Sequence, residues 1–244
     1  MKICAFSDTH GILPSLPECD VCVIAGDIIP LDIQRNYESS IAWLAGAFCN
    51  WCKNQKCKIV LIPGNHDFVF EKLYDKYMKA HYEFRYDALQ DLHDDIFLFD
   101  YPKQQIFVLI DTDVTIDGVT FFGTPHCPAL RNWAFYNTDD ELKNMFKCIP
   151  DCDVLITHCP PKIGTQGVVL QDCYNKGNDF GCQELQDGIK DKKIDWVISG
   201  HIHSGNHEVE EYVTPKGARK YVNVSLLDEG YNKAYNPFVF EINK

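Results

Sequence analysis

Apolar residues fall along this chain in short runs that close on polar or glycine-bearing turns. The runs at 2–6, 21–25, 58–62, 106–110, 154–157 and 196–199 are almost continuously apolar and rich in Val, Ile and Phe. That pattern predicts strands covered on both faces. Further strands are predicted at 96–99, 114–116, 119–122, 208–213, 220–224 and 238–242. Asp117-Gly118 separates two of them, and this dipeptide favours the positive φ angles of a two-residue hairpin. Apolar residues at helical spacing predict helices over 37–52, 70–78, 138–148 and 182–190, and Thr138 followed by Glu141 forms a capping box at the third of them. Residues 158–179, with three glycines and two prolines, read as a binding loop. Strands first alternate with helices and then gather into hairpins, which predicts an α/β chain: two mixed β-sheets in a sandwich flanked by helices. No repeat or Pro/Ser-rich linker interrupts it, so residues 1–244 read as one domain.

Composition narrows the function classes. Hydrophobic residues make up 45% and charged residues 24%, values of a folded globular chain. No apolar run approaches the ~18 residues that span a bilayer. Met1-Lys2 leads directly into an apolar strand with no signal-peptide pattern, so the twelve cysteines read as reduced thiols and the cytoplasm as the compartment. Cys19/Cys22 and Cys49/Cys52 have two-residue spacing but lack a second pair at zinc-finger distance, which argues against structural zinc. The net charge of −12 opposes binding to long nucleic acids or anionic membranes but not to small anions, which a local metal cluster can still attract.

The chemistry collects at the carboxyl ends of predicted strands. Asp8-Thr9-His10 follows the first, Gly26-Asp27 the second and Gly64-Asn65-His66-Asp67 the third. Thr157-His158 and Gly200-His201-Ile202-His203 close two later ones. Ligands of open α/β sheets bind outside these strand ends, so the five segments are expected to converge. Asp8, His10, Asp27, Asn65, His158, His201 and His203 are more oxygen and imidazole donors than one open metal site needs, and they fit two sites sharing a carboxylate. Each segment alone is an ordinary turn or loop; together, in order, they are not.

The ordered set D-x-H, G-D, G-N-H-D, H and G-H-x-H resembles the calcineurin-like metallophosphoesterase superfamily, and it spans Asp8 to His203. The resemblance implies a four-layer α/β/β/α sandwich. It also implies one metal held by Asp8, His10, Asp27 and His203, and another by Asp27, Asn65, His158 and His201, with Asp27 bridging. Gly123-Thr124-Pro125-His126-Cys127-Pro128, Thr157-His158-Cys159-Pro160-Pro161 and Gly181-Cys182-Gln183-Glu184-Leu185 resemble the branch that contains metallophosphoesterase-domain proteins and class III-type cyclic nucleotide phosphodiesterases. Some members of that branch replace one His of the last motif by Gly; here both His201 and His203 are present. The Arg that Ser/Thr protein phosphatases place before Gly-Asn-His is Ile62-Pro63 here.

Two divalent ions held by this donor set would activate a bridging water for attack on phosphorus and neutralise the charge that develops there. Mn²⁺ or Fe is favoured, with Zn²⁺, Ni²⁺ and Co²⁺ compatible with the donors. His66, left over from the ligand set, is assigned as proton donor to the leaving oxygen, with Asp67 orienting its ring. Asn65, His66, His126, Arg131 and Lys162 are candidate substrate-binding residues. Trp133, Phe135 and Tyr174 lie in the same loops, and the two aromatics at 133 and 135 read as core packing. The expected function is hydrolysis of small phosphodiesters or phosphomonoesters, cyclic nucleotides included. The competing class is a catalytically silent protein-interaction module on the same fold, against which the complete donor set argues.

Overall fold

The structure, a computed structural model, describes residues 1–80, 105–171 and 174–243; the strand predicted at 96–99 lies outside them. Strands β1 (Lys2–Phe6), β2 (Val21–Ala25), β3 (Lys58–Ile62) and β4 (Ile106–Val108) pair in parallel, in that order. A second sheet runs β5 (Thr112–Ile116), β6 (Val119–Thr124), β7 (Cys152–Thr157), β8 (Ile194–Ser199), β10 (Gly217–Asn223) and β9 (Glu210–Thr214), with a parallel centre and antiparallel strands at both edges. The last strand, β11 (Phe238–Glu241), returns to the first sheet and pairs antiparallel with β1. Both sheets are mixed, as the pattern predicted.

Alternation along the strands makes the layers. Val21, Val23 and Ala25 of β2 pack with Val154, Ile156 and Ile198 between the sheets, while Cys22 and Ile24 face the opposite way. There they meet α1 (Tyr37–Trp43), a π-helical turn (Leu44–Phe48), α2 (Cys49–Lys53) and α3 (Phe68–Ala80). The predicted helix over 37–52 therefore forms, but with a π-turn that buries Leu44 and Phe48 together. On the far face of the second sheet, Leu155 and Val197 pack against α4 (Asp139–Phe146) and α5 (Gln183–Ile189). The result is an α/β/β/α sandwich. Each wholly buried Ile, Leu or Phe contributes about 1.5–3 kcal/mol, so the three apolar layers hold the polar strand ends in place.

Local chemistry sets the turns. Asp117 and Gly118 have φ of 48° and 84° and join Ile116 to Val119 in register, the hairpin the dipeptide predicted. The Glu141 carboxylate accepts from the N–H and Oγ1 of Thr138 at the start of α4. Among the described residues no helix is long and apolar enough to cross a membrane.

Candidate metal centre

The five motif segments meet where the carboxyl ends of the two sheets face each other. Asp8 and His10 follow β1, Asp27 follows β2, Asn65 follows β3, His158 follows β7, and His201 and His203 follow β8. Asp8, His10, Asp27 and His201 have φ of 51°, 43°, 58° and 69°, the left-handed region that non-glycine residues seldom adopt. Each such residue costs on the order of 1–2 kcal/mol, so these four donors sit on strained backbone.

The turns leave no room for larger residues. A Cβ at Gly64 would stand 2.2 Å from Asp27 Oδ1, and one at Gly200 would stand 2.1 Å from Ser7 Oγ and 2.3 Å from Asp8 Oδ2. Gly200→Ala is therefore expected to displace the Asp8 carboxylate while leaving the sheets intact. Metal content and turnover should fall by about tenfold or more each, by analogy with the loss when a ligand's support is removed. Elemental analysis beside a circular dichroism spectrum checks this, and a variant with normal metal content would refute it.

Asp8 is wholly buried, and its Oδ2 accepts from Ser225 Oγ (2.6 Å), from His201 N–H (2.9 Å) and from Ser7 Oγ. Asp8 Oδ1 has no hydrogen-bond partner and lies 3.3 Å from His203 Nε2. Asp27 Oδ2 lies 3.3 Å from His158 Nε2 and 3.9 Å from both His10 Nε2 and His66 Nε2. Asn65 Oδ1 is 2.9 Å from His158 Nε2. His10 is buried with neither ring nitrogen hydrogen-bonded. His201 lies beside His158, ring centroids 5.1 Å apart.

The imidazoles face the carboxylates in a fixed sense. His158 Nδ1 is 2.8 Å from the Ala25 carbonyl and His203 Nδ1 is 3.1 Å from that of Asp228. A carbonyl only accepts, so Nδ1 carries the proton and Nε2 is turned to the centre, the arrangement of metal-binding histidines. Three donor sets bring their atoms within 4.8 Å of one another: Asp8, His10 and His203; Asp8, Asp27 and His158; His10, Asp27 and His66. Buried donors without partners, oriented imidazoles and two carboxylates fit divalent cations. The first set falls within one of the two ligand groups that the family resemblance implied, while the second joins Asp8 of that group to Asp27 and His158 of the other. His201 belongs to none of the three sets.

Charge balance points the same way. Burial works against ionising Asp8 and Asp27, but the neighbouring histidines hold both carboxyls well below the usual range. Burial likewise works against charging His158 and His203, yet Asp27 raises the first to about 10 and Asp8 the second to about 9. Burial lowers His10 and His201 to about 4. Two protons thus supply the positive charge that cations supply otherwise. A cation must displace them to reach Nε2, so metal loading at pH 7 is expected to release about two protons per chain and to tighten as pH rises toward 9. Calorimetric titration in buffers of different ionisation enthalpy measures this; a buffer-independent heat would contradict it.

His66 stands at the rim. Its N–H donates to Asp27 Oδ1 (2.8 Å), its ring lies 4.3 Å from that of Trp133, and its Nδ1 meets Gln34 Oε1. The orienting role assigned to Asp67 falls to Gln34 instead. Asp67 Oδ2 accepts from the N–H groups of Asp27 and Gly64, and Oδ1 from those of Ile28 and Ile29. Asp67 thus fixes the Asp27 turn. Burial, then the charge of Asp27, pushes its carboxyl up to about 7.

A cavity of about 210 Å³ opens over the donors, walled by Asp27, Asn65, His66, Trp133, His201, His203 and Tyr231. A larger one of about 520 Å³ shares His201, Leu130 and Glu229 with it and carries Lys162 and Phe180. Asn65, His66 and Lys162 therefore remain at the site. His126 does not line these cavities: it pairs with Asp111 at 2.9 Å and faces a separate cavity with Glu71 and Asp75. Arg131 and Tyr174 are exposed and line neither of the two cavities over the donors. Phe135 is core as expected, but Trp133 is not; it walls the cavity, with the Arg35 guanidinium 5.0 Å from its ring. Gln34, Arg35 and Tyr231 carried no motif in the sequence.

Comparison with known proteins agrees with this geometry. A family profile described as calcineurin-like phosphoesterase matches residues 1–205. A UPF0046 protein of Caenorhabditis elegans is 29% identical over 96% of this chain and 58% of its own length. Metallophosphoesterase domain-containing protein 1 of Homo sapiens is 27% identical over 97% of this chain and 69% of its own length. The chain thus spans little more than half of the first relative. A solved crystal structure with 15% identity superposes with a TM-score of 0.59, covering 91% of this chain and 89% of the other, a likeness of fold.

Proposed function

We propose that this chain, which belongs to the calcineurin-like phosphoesterase family, hydrolyses small phosphate esters with two divalent metal ions held by Asp8, His10, Asp27, Asn65, His158, His201 and His203. The observation that carries the reading is the convergence of buried carboxylates and imidazoles beside a cavity that Asp27, His201 and His203 line, with Asp8 Oδ1 and both His10 ring nitrogens left without hydrogen-bond partners. When bound, two such ions lower the pKa of water and neutralise charge developing on a phosphoryl group.

The chain's own residues supply the rest. Asp27 lies within reach of both donor groups, and its turn is held by Asp67. Carbonyls of Ala25 and Asp228 keep His158 and His203 facing inward. His66 lines the cavity with Gln34 Oε1 accepting from Nδ1–H, and in its imidazolium form, which burial opposes and the Asp27 carboxylate favours, Nε2 would donate a proton to the leaving oxygen. Trp133 and Tyr231 wall the small cavity and limit water around the reacting group. The larger cavity, with Lys162 as a cation and Phe180 as an apolar surface, receives the remainder of the ester.

Phosphodiesters, cyclic nucleotides among them, are the substrates that suit a small phosphate site joined to a larger, partly apolar one. Mn²⁺ or Fe is the favoured metal pair, since the oxygen and nitrogen donors exclude none of the common divalent ions and availability selects among them. The acidic surface weighs against long nucleic acids and membranes as partners. The test is a Mn²⁺-supplemented panel of 2′,3′- and 3′,5′-cyclic nucleotides, mononucleotides and aryl phosphate esters. Hydrolysis of at least one class, lost on chelation and restored by metal, is expected. Metal-loaded protein inert on the whole panel would favour the interaction-module reading.

A further inference from the structure

Asn223-Val224-Ser225 has the form of a glycosylation acceptor, a surface motif, yet it lies inside the fold. Asn223 and Ser225 are each 1% exposed. The segment closes β10 and touches both sheets at the level of the donors. Val224 N–H donates to the Ser199 carbonyl of β8 at 2.7 Å. On the other side, Ser7 N–H donates to the Val224 carbonyl at 2.9 Å, and the Ser7 carbonyl accepts from Leu226 N–H at 3.0 Å. Ser199 immediately precedes the Gly200-His201-Ile202-His203 turn, and Ser7 immediately precedes Asp8. The backbone of 223–226 therefore ties together the donor-bearing ends of β8 and β1, strands of different sheets.

The side chains reach the donors' own turns. Asn223 Nδ2 donates to the Ile202 carbonyl at 2.8 Å, and its Oδ1 accepts from Ser225 N–H at 3.0 Å. A carbonyl only accepts and a backbone N–H only donates, so the amide has one satisfactory orientation. Ser225 Oγ has a single proton and two acceptors within reach, Asn223 Oδ1 at 2.9 Å and Asp8 Oδ2 at 2.6 Å. The charged acceptor at the shorter distance takes it. His201 N–H closes the circuit by donating to the same Asp8 Oδ2 at 2.9 Å.

This circuit acts on both ends of the centre. Ile202 lies between His201 and His203, so the Asn223 amide holds the middle of the turn that carries both imidazoles, one that keeps His201 at φ 69°. A Cβ at Gly205 would stand 2.9 Å from the Ile202 carbonyl oxygen and 3.0 Å from Asn223 Nδ2, so a side chain there would crowd the contact. At the other end, Ser7, Ser225 and His201 all donate to Asp8 Oδ2. Asp8 Oδ1 is left without a hydrogen-bond partner, 3.3 Å from His203 Nε2. The circuit thereby fixes which carboxylate oxygen is offered to a cation and where the turn of two histidines stands relative to it.

We propose that Asn223, with Ser225, is a positioning residue for both metal sites, setting the His201–His203 turn of one sheet against Asp8 of the other. The role rests on the two-metal reading above. No donor side chain is among the hydrogen-bond partners of Asn223, so its effect passes through Ile202 and Ser225.

The experiment titrates the metal-free full chain with Mn²⁺ by calorimetry for the wild type, Asn223→Ala, Ser225→Ala and the double variant, and records each melting curve without metal. Asn223→Ala is expected to weaken both ions by about 10–100-fold, the usual loss when the support of a ligand is removed. Ser225→Ala should weaken the ion of the Asp8 group by a similar factor. It deletes one hydroxyl and leaves the amide contacts in place, so its metal-free melting temperature should stay close to wild type. The double variant should bind no more weakly than Asn223→Ala alone, because either change opens the same circuit. Normal Mn²⁺ affinity in the single variants, with or without a lower melting temperature, would overturn the positioning role while leaving the two-metal reading intact. So would additive losses in the double variant, or an Asn223→Ala loss confined to one ion. A wild type that binds no Mn²⁺ would instead remove the two-metal reading, and this role with it.

Discussion

Replacing Asp27 by Asn is expected to lower turnover by about 10³-fold or more and to weaken both metals together, since disturbing mere supports of a ligand already costs about 10–100-fold. Asparagine is the right substitute. Asp27 sits at φ 58°, a conformation asparagine tolerates better than most residues, and the amide oxygen still accepts from His66 N–H. What disappears is the charge facing His10, His66 and His158. Asn65→Ala provides the contrast, because Asn65 touches only the His158 side among the described donors and should empty that site while sparing the Asp8 group. Elemental analysis of both variants decides it. Equal loss of both metals in each would contradict the shared role of Asp27.

The second large effect belongs to His66. A p-nitrophenolate leaves readily as an anion, whereas the alkoxide of a ribose needs a proton. General acid catalysis is worth about 10²–10⁴-fold, so His66→Asn should cost that much on cyclic nucleotides and far less on aryl esters. Metal content should hold, since the other donors in the Asp8 and His158 groups are untouched. Equal losses on both substrate types would assign His66 to positioning alone. His126 is not a substitute donor, because its Nε2 is engaged by Asp111 beside a separate cavity.

The sheets and most of the candidate donors are legible in the sequence because strand ends and the polar residues that follow them are written in contiguous signals. Ile24-Ala25-Gly26-Asp27 states in one stretch a buried strand, a tight turn and a carboxylate. Partners contributed by irregular loops left no such mark. Gln34, between β2 and α1, reaches His66 only because the chain after Ile29 folds back over the site, and no periodicity encodes that. Adjacency to His66 suggests an orienting role for Asp67, but its carboxylate turns inward to four backbone N–H groups, a contact set by the Asp27 turn. Trp133 has the sequence context of a core residue, for aromatics near other aromatics usually are core, yet its ring walls the cavity beside His66. His126 followed a motif-like Gly-Thr-Pro and was drawn elsewhere by Asp111, whose position depends on the β4–β5 turn.

The most direct measurement titrates metal-free protein with Mn²⁺ and follows bound metal and phosphodiester hydrolysis in the same samples. Two ions per chain, with hydrolysis appearing as the sites fill and vanishing on chelation, is the expected result. A chain that binds no Mn²⁺, Fe²⁺ or Zn²⁺, or that saturates at one ion, would contradict a dinuclear centre built on Asp27.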